Sequence, residues 1–265
     1  MRPLLLLLTA MLGAPSARSA DALAEARRLY NQGQYDAAER SAREAVRLPA
    51  TADGARVVLG RIQLERYRQT ASPADLADAI GALRAVDPRP LDPKQRVELA
   101  IGMGEALFLE DRFGAAAALF DSVLDASALL GAPAHERVLD WWATAVDRQA
   151  LVRPAPERGA LYERIAGRMA DELATDAGST SAGYWLPAAR RGAGDLETAM
   201  HEATAAWVRA SLARDRGAAL RADLDRLMVQ GILPDRAARL PGRDHAQALA
   251  GMVGEWEAFK ARWAR

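Results

Sequence analysis

The sequence predicts an all-α protein built as a row of antiparallel helix hairpins. Strand signals are nearly absent, because β-branched residues are scattered and Ala, Leu, Arg and Glu dominate every long segment. Gly and Pro interrupt the chain at intervals of about a dozen to twenty residues, which is typical of helices joined by short turns. Two segments also share one pattern of small and apolar residues. Together these observations predict a solenoid of helix pairs.

The helices are placed between these interruptions. Several have one apolar face, as where Leu161, Ile165 and Met169 recur every four residues. Pro187 either kinks a short helix or marks its start, and residues 175–181 form either a lobe boundary or, as we favour, a surface loop. The predicted helices span residues 21–32, 35–48, 53–69, 73–86, 93–110, 113–129, 133–151, 157–175, 182–192, 195–213, 216–230 and 244–263.

The repeated pattern predicts how the helices pair. Its two copies are offset by 78 residues, so that Ala26 corresponds to Gly104 and Ala38 to Ala116. Two helices approach to about 8–10 Å only where small side chains lie at the crossing, so we expect these four residues at crossings. The first copy contains Ala26, Leu29, Gly33, Tyr35, Ala38, Ala42 and Ala45, and the second contains Gly104, Leu107, Asp111, Phe113, Ala116, Phe120 and Val123.

The first residues predict a secretory signal peptide over residues 1–19. A charged start at Arg2 is followed by an apolar stretch that is too short to span a bilayer, and then by small residues. Two cleavage sites have the required small residues at the last and third-last positions of the signal: after Ser19 (Ala17-Arg18-Ser19) and after Ala22 (Ala20-Asp21-Ala22). An uncleaved membrane anchor is the alternative. The expected location is therefore the periplasm or the outside of the cell.

Charge and cysteine content narrow the function. The chain has 35 basic and 35 acidic residues, and loss of Arg2 and Arg18 with the signal would leave 33 against 35. This balance implies neither nucleic acid nor an anionic membrane surface as a partner. The absence of cysteine excludes disulfides and a lipid-modified cysteine. No further stretch of the sequence is apolar and long enough to span a membrane.

The repeat residues resemble the tetratricopeptide repeat family, whose unit is a 34-residue helix pair. The resemblance is carried by Ala26, Gly33, Tyr35 and Ala38 in one unit and by matching residues from Gly104 to Leu124 in another. It covers residues 20–130, with a lengthened middle unit, whereas residues 131–265 are expected to form divergent helical repeats and a capping helix. The resemblance implies a right-handed α-α superhelix.

The resemblance also implies a groove lined by the first helix of each pair. Such a groove suits an extended peptide or a partner helix, although the same side chains could simply be solvated. The family's carboxylate-binding positions hold Leu23, Val58, Glu98 and Gly102 here, so binding of a chaperone C-terminus is not implied. The groove residues implied by the resemblance are Arg27, Tyr30, Asn31, Arg61, Glu65, Glu105 and Phe108.

The sequence shows no recognisable catalytic or metal-binding motif. His201-Glu202 begins like a zinc-protease helix, but Ala205 stands where the second histidine is required. Asp223 and Asp225 lie two residues apart on a helix and should point to different faces. There is no glycine-rich phosphate loop or nucleophile elbow. We therefore expect no metal site and no cofactor.

The six tryptophans leave two interpretations open. Aromatic rings stack on sugars, but these residues fall at helical spacings among other apolar residues, which favours core packing. Trp256 and Trp263 lie on a last helix that either caps the solenoid or docks on a second chain.

The sequence thus predicts a non-catalytic protein-binding or scaffold module of the cell envelope, with self-association possible. Two alternatives remain: a glycan- or peptidoglycan-binding envelope protein, and an enzyme of unrecognised class with its site in residues 150–265.

Overall fold

The computed structural model describes residues 16–263 apart from 214, 216 and 243, with side chains from residue 22 onward. Every regular element in this part of the chain is helical, which confirms the all-α prediction. The helices are α1 (Ser16–Asn31), α2 (Tyr35–Val46), α3 (Ala52–Thr70), α4 (Pro73–Arg84), α5 (Pro93–Leu109), α6 (Phe113–Asp121), α7 (Ala132–Leu151), α8 (Ala155–Thr175), α9 (Thr180–Ala193), α10 (Leu196–Arg209), α11 (Ala218–Leu227), α12 (Leu233–Ala238) and α13 (His245–Arg262).

The helices form two compact units, the first ending at Ala106 and the second beginning at Leu107. Residues 1–15, which carry most of the predicted signal peptide, lie outside the described residues. No helix in the described part of the chain combines the length and the apolar character that a membrane span requires.

In the first unit each helix packs on its neighbours in sequence. Helix α1 packs on α2, α2 on α3 and α3 on α4, and α1 also contacts α3 directly. The predicted crossing residues Ala26 and Ala38 are completely buried. At Gly60 an added Cβ would lie 2.6 Å from Leu83 Cγ, so α3 and α4 approach more closely than a side chain would permit. This unit therefore depends on small residues as the sequence predicts.

The second unit repeats the arrangement. Helices α6 to α11 contact one another in sequence order, and α9 also contacts both α7 and α11. Contacts between every second helix place α7, α9 and α11 in one layer, as in a stack of helix pairs. The handedness of a superhelix stays a prediction.

Two predicted helices differ in their ends. The helix expected over 113–129 stops at Asp121, and a 3₁₀ segment follows at Asp125–Leu130. The chain also stays helical through Gly231 and Pro234, where the sequence predicts a break. A π-helical turn, Met228–Ile232, joins α11 to α12 without a break and places Pro234 in the first turn of α12.

Pro187 lies inside α9, which begins at Thr180, so this proline does not mark the helix start. The preceding connection is only the short segment 176–179, in agreement with the favoured loop.

Helix α13 covers the end of the second-unit core. Its Trp256 is buried against α11 and α12, with Met252 and Phe259 beside it. Asp225 of α11 accepts hydrogen bonds from Trp256 Nε1 (2.8 Å) and from Lys260 Nζ (2.6 Å). These contacts fit the capping role proposed for the last helix.

Substitution of Ala116 by Leu should reduce the free energy of unfolding by about 1–3 kcal/mol, because Ala116 is fully buried and extra methylenes would overpack the site. Thermal or urea unfolding measures the effect. Ala118 on the same helix is exposed, so Ala118→Leu is the matched control and should change stability by less than about 0.5 kcal/mol. Equal stability of both variants would contradict the packing described.

The Asp225 contacts should make stability depend on acid pH. Burial acts to raise the pKa of Asp225, but the hydrogen bonds from Lys260 and Trp256 outweigh it, so the pKa is lower than usual. The stabilisation is therefore present above the unfolded-state pKa of about 3.9 and is lost as the pH falls through the folded value.

Asp225→Asn keeps an acceptor for Trp256 but removes the charge. Because the Asp225 side chain is 40% exposed, screening limits the difference to under about 1 kcal/mol. Urea unfolding at pH 6 and pH 3 should show a smaller acid-induced loss for the variant than for the parent. An identical loss in the two proteins would contradict this assignment.

Candidate functional site

Five of the seven predicted groove residues come together in the first unit. Two of them, Arg27 and Tyr30, lie on α1; Arg61 and Glu65 lie on α3, and Glu105 lies on α5. The charge of Arg61 interacts with Tyr30, Glu65 and Glu105. Asn31, at the end of α1, is exposed. Phe108 belongs to the second unit, where its ring packs edge-on against Phe113 with centroids 5.2 Å apart.

Tyr30 lies at the centre of this group. Its hydroxyl donates to Glu65 Oε1 at 3.3 Å, and the Arg61 guanidinium lies over its ring at 4.6 Å from the centroid. Burial raises the pKa of Tyr30 above its usual value, with Arg61 opposing the shift. Tyr30 therefore stays a neutral hydrogen-bond donor that connects α1 to α3.

Two further residues complete the network. Arg27 Nη2 lies 3.2 Å from Glu98 Oε2, and Arg68 contacts Glu65 at 3.1 Å and Glu105 at 3.2 Å. The sequence reasoning did not include Arg68, and it considered Glu98 only as a departure from a family site. The sequence did contain a signal for Glu98: it lies two helical turns before Glu105, so the two glutamates share one face of α5.

The network balances its own charges. Arg27, Arg61 and Arg68 face Glu65, Glu98 and Glu105, so three arginines meet three glutamates on the first helices. Burial acts to lower the pKa of Arg61, but Tyr30 and the three glutamates outweigh it and raise that pKa. Glu105 is only 1% exposed, which makes its pairing important for stability. These side chains hold α1, α3 and α5 together.

The second unit contains an open groove of about 840 Å³ that the sequence reasoning did not locate. Three helices of one layer, α7, α9 and α11, supply most of its walls, and Asp176, Gly178, Leu212 and Asp215 in the connecting segments supply the rest. Its lining contains five carboxylates and one arginine among the described residues. The charged residues of the lining are Glu136, Asp140, Asp176, Asp215, Asp223 and Arg137.

Glu136 connects α7 to the start of α9. Its Oε2 accepts hydrogen bonds from Thr180 Oγ1 at 3.1 Å and from the Ser181 amide at 2.9 Å. A carboxylate at a helix N-terminus is stabilised by the free amides and by the helix dipole. Glu136 therefore fixes the position of α9 in the groove wall.

Asp140 lies one turn further along α7 and accepts a hydrogen bond from Trp185 Nε1 at 2.8 Å. Burial raises the pKa of Asp140, with the Trp185 hydrogen bond opposing the shift and Glu136 and Asp223 adding to it. Burial also raises the pKa of Tyr184 across the groove. Asp223 adds to the upward shift of the pKa of both Asp140 and Tyr184, which indicates that the carboxylates of the groove lie close enough to act on one another.

Asp223 and Asp225 point to different sides of α11, which confirms the prediction from their spacing. Asp223 lines the groove and pairs with Arg226 at 3.0 Å, whereas Asp225 faces α13. Asp176 and Asp215 accept backbone hydrogen bonds in their own turns. Among the described residues no three His, Asp or Glu side chains are arranged to hold a metal ion.

His135 makes contacts that its isolated position in the sequence did not indicate. Its Nδ1 lies 2.7 Å from Ser127 Oγ and its Nε2 lies 3.1 Å from Glu172 Oε1. Ser127 is completely buried and donates to the Leu124 carbonyl at 2.6 Å. A hydroxyl that is buried and already donating cannot reach a substrate, so this group ties the 3₁₀ segment to α7 and α8.

The tryptophans serve mainly in packing. Trp142, Trp185 and Trp256 are buried, and Trp141 and Trp207 are half-buried against other aromatic rings. Trp263 is 49% exposed and is the one tryptophan of the described chain that offers a large free surface. The core interpretation therefore accounts for five of the six.

Comparison with known proteins yields no relative: no family model matches the chain, and neither the curated proteins nor the solved structures contain a match.

Arg61→Met should lower the free energy of unfolding by about 1–3 kcal/mol at pH 7, because three glutamates would then face only two arginines. Adding Glu65→Gln should recover part of this loss, because it removes one of the glutamates left in excess and keeps an acceptor for Tyr30. Urea unfolding of the single and double variants is the measurement. Arg84→Met, at an exposed site on α4, removes the same charge and should have little effect. The absence of any recovery in the double variant would contradict the electrostatic role.

Proposed function

We propose that this protein is a non-catalytic binding module of the cell envelope, similar to tetratricopeptide repeat proteins, and that it holds a basic peptide segment of another protein. The observation that carries the proposal is the acidic groove on the layer formed by α7, α9 and α11. Stacked helix pairs commonly present their binding surface on such a layer. The leader-like N-terminal sequence supports the envelope location.

Charge determines the kind of partner. Among the described residues five carboxylates and one arginine line the groove, so they would attract a cationic segment and repel an acidic one. Leu212 at the groove is 63% exposed, and the half-buried Tyr184 adds further apolar surface. A segment that alternates Lys or Arg with apolar residues matches this combination.

The first-unit residues are less suited to be the primary contact. Arg27, Tyr30, Glu65 and Glu105 already bond to one another or to neighbouring side chains. A partner would have to displace these bonds, which lowers the net gain on binding. Contact of a partner with the groove residues of the first unit stays a prediction from the sequence, and the exposed Asn31 is the residue that a partner could reach most easily.

The acidic groove also gives the enzyme alternative a specific basis. Burial raises the pKa of Asp140, and a carboxyl group of this kind can act as a general acid. Its hydrogen bond to Trp185 and the structural bonds of Glu136, Asp176 and Asp215 favour binding instead. Turnover of oligosaccharides or peptides that disappears in Asp140→Asn would establish catalysis and replace the binding proposal.

Fluorescence anisotropy with short labelled peptides tests the binding proposal. A peptide alternating Arg with Leu should bind saturably, its affinity should fall with added salt, and a Glu–Leu peptide should not bind. Asp223→Lys should raise the Kd at least about fivefold, since about 1 kcal/mol per nearby charge corresponds to this factor.

Two variants serve as references. Asp171→Lys makes the same charge change at an exposed site of α8 outside the groove and should leave the affinity nearly unchanged. Arg137→Glu replaces the one cation among the described lining residues with a carboxylate and should tighten binding of the basic peptide. Equal weakening by the changes at Asp171 and Asp223, or no binding of the basic peptide, would overturn the proposal.

A further inference from the structure

A second groove, of about 460 Å³, lies between α10, α12 and α13 in the second unit. Its volume is in the range of small-molecule sites, which are commonly apolar with a few polar groups. The lining contains three methionines, whose flexible side chains adapt to different apolar shapes. The apolar residues that line it are Met200, Met228, Leu233, Leu240, Met252, Trp256 and Phe259.

Arg236 is the one cation among the described residues that line this groove, and it is half-buried. Within the described part of the chain its hydrogen-bond acceptor is the thioether sulfur of Met200, 2.9 Å from Nη1. A thioether is a weak acceptor, whereas a guanidinium carries five donors and prefers a carboxylate or phosphate. A carboxylate that enters the groove would therefore be a stronger acceptor for Arg236 than the sulfur it contacts here.

The neighbours of Arg236 show that this is specific to one residue. Asp235 pairs with Arg191 at 2.7 Å, and Arg239 Nη1 donates to the Gly194 carbonyl at 2.7 Å. Both of these contacts involve oxygen and lie outside the groove. Of Arg236 on α12 and Arg239 directly after it, therefore, only Arg236, which faces the apolar groove, has sulfur as its acceptor among the described residues.

The π-helical turn helps to place this residue. Met228, the first residue of the turn, lines the groove, and α12 follows directly and presents Leu233 and Arg236 to it. Single π turns within α-helices occur frequently at functional sites. The local distortion and the unmatched arginine thus lie at the same groove.

We propose that this groove binds a small amphiphile with a carboxylate head, such as a medium-chain fatty acid. Arg236 donates to the carboxylate in place of Met200, and the alkyl chain packs on Met252, Phe259 and Met200. The exposed carboxylate of Glu255 also borders the groove, which disfavours a doubly charged phosphate head. This site is separate from the acidic groove and does not depend on the function proposed for it.

Isothermal titration of the protein with decanoate below its micellar concentration tests the site. Saturable binding should occur, and Arg236→Gln should weaken it at least about tenfold, which corresponds to about 1.4 kcal/mol. Arg239→Gln removes the same charge at the residue that follows α12, outside the groove, and should bind decanoate as the parent does. Decanol, which has the chain without the charge, should bind at least about tenfold more weakly than decanoate.

Arg236→Lys separates loss of the ligand contact from loss of the fold. It keeps the positive charge, so it should bind decanoate more tightly than Arg236→Gln, and thermal unfolding shows whether both variants remain folded. The proposal is overturned if the parent does not bind decanoate, if decanol binds equally well, or if Arg236→Gln and Arg239→Gln have the same affinity.

Discussion

Close approach of helices at alanine and glycine is the interaction on which the rest of this structure depends. Ala26, Ala38 and Ala116 are fully buried, and Gly60 leaves no room for even a Cβ against Leu83. Buried alanines contribute little apolar area each; they let the helices approach closely, and larger buried side chains such as Trp142 and Phe120 supply most of the buried apolar area. The same contacts fix the directions of the helices and hence the grooves that they border.

The two units differ in whether the charged side chains on their helices are compensated by neighbouring charges. In the first unit three arginines and three glutamates compensate one another, and their contacts connect α1, α3 and α5. In the second unit the carboxylates of the groove wall are held by backbone amides, by Trp185 and by Arg226, and the described residues of the lining keep an excess of negative charge. Pairing of this kind stabilises helix packing, whereas an uncompensated groove can attract an oppositely charged partner.

Most of the fold could be predicted from the sequence because helix signals are local. Apolar spacing and the positions of Gly and Pro place nearly every helix to within a few residues, and the two-residue spacing of Asp223 and Asp225 correctly places them on different faces. The helix at 113–129 was predicted too long because its composition remains helical beyond Asp121. The continuation through Gly231 and Pro234 depends on a π turn, for which no reliable local signal exists.

The sites were harder to predict because they require knowledge of which helices are adjacent. The acidic groove combines residues from 132 to 223, and no short motif connects Glu136 with Asp223. The family resemblance ended near residue 130, so it directed attention to the first unit. The sequence does not distinguish Arg236 from the many other arginines of this chain, because its contact with the Met200 sulfur depends on the packing of α12 against α10.

The π turn at Met228–Ile232 has a consequence for how the chain tolerates insertions and deletions. A π turn holds one residue more than the α-helical ladder requires, so removing a single residue there would restore a regular helix. Because the turn absorbs the extra residue, the helices that follow would keep nearly the same angular phase, and the side chain of Arg236 would still point toward α10. A deletion within the regular α-helical part of α11 would instead rotate everything that follows by about 100°, the angle between successive residues of an α-helix. The π turn is therefore the position in this helix at which loss of one residue disturbs the C-terminal helices least.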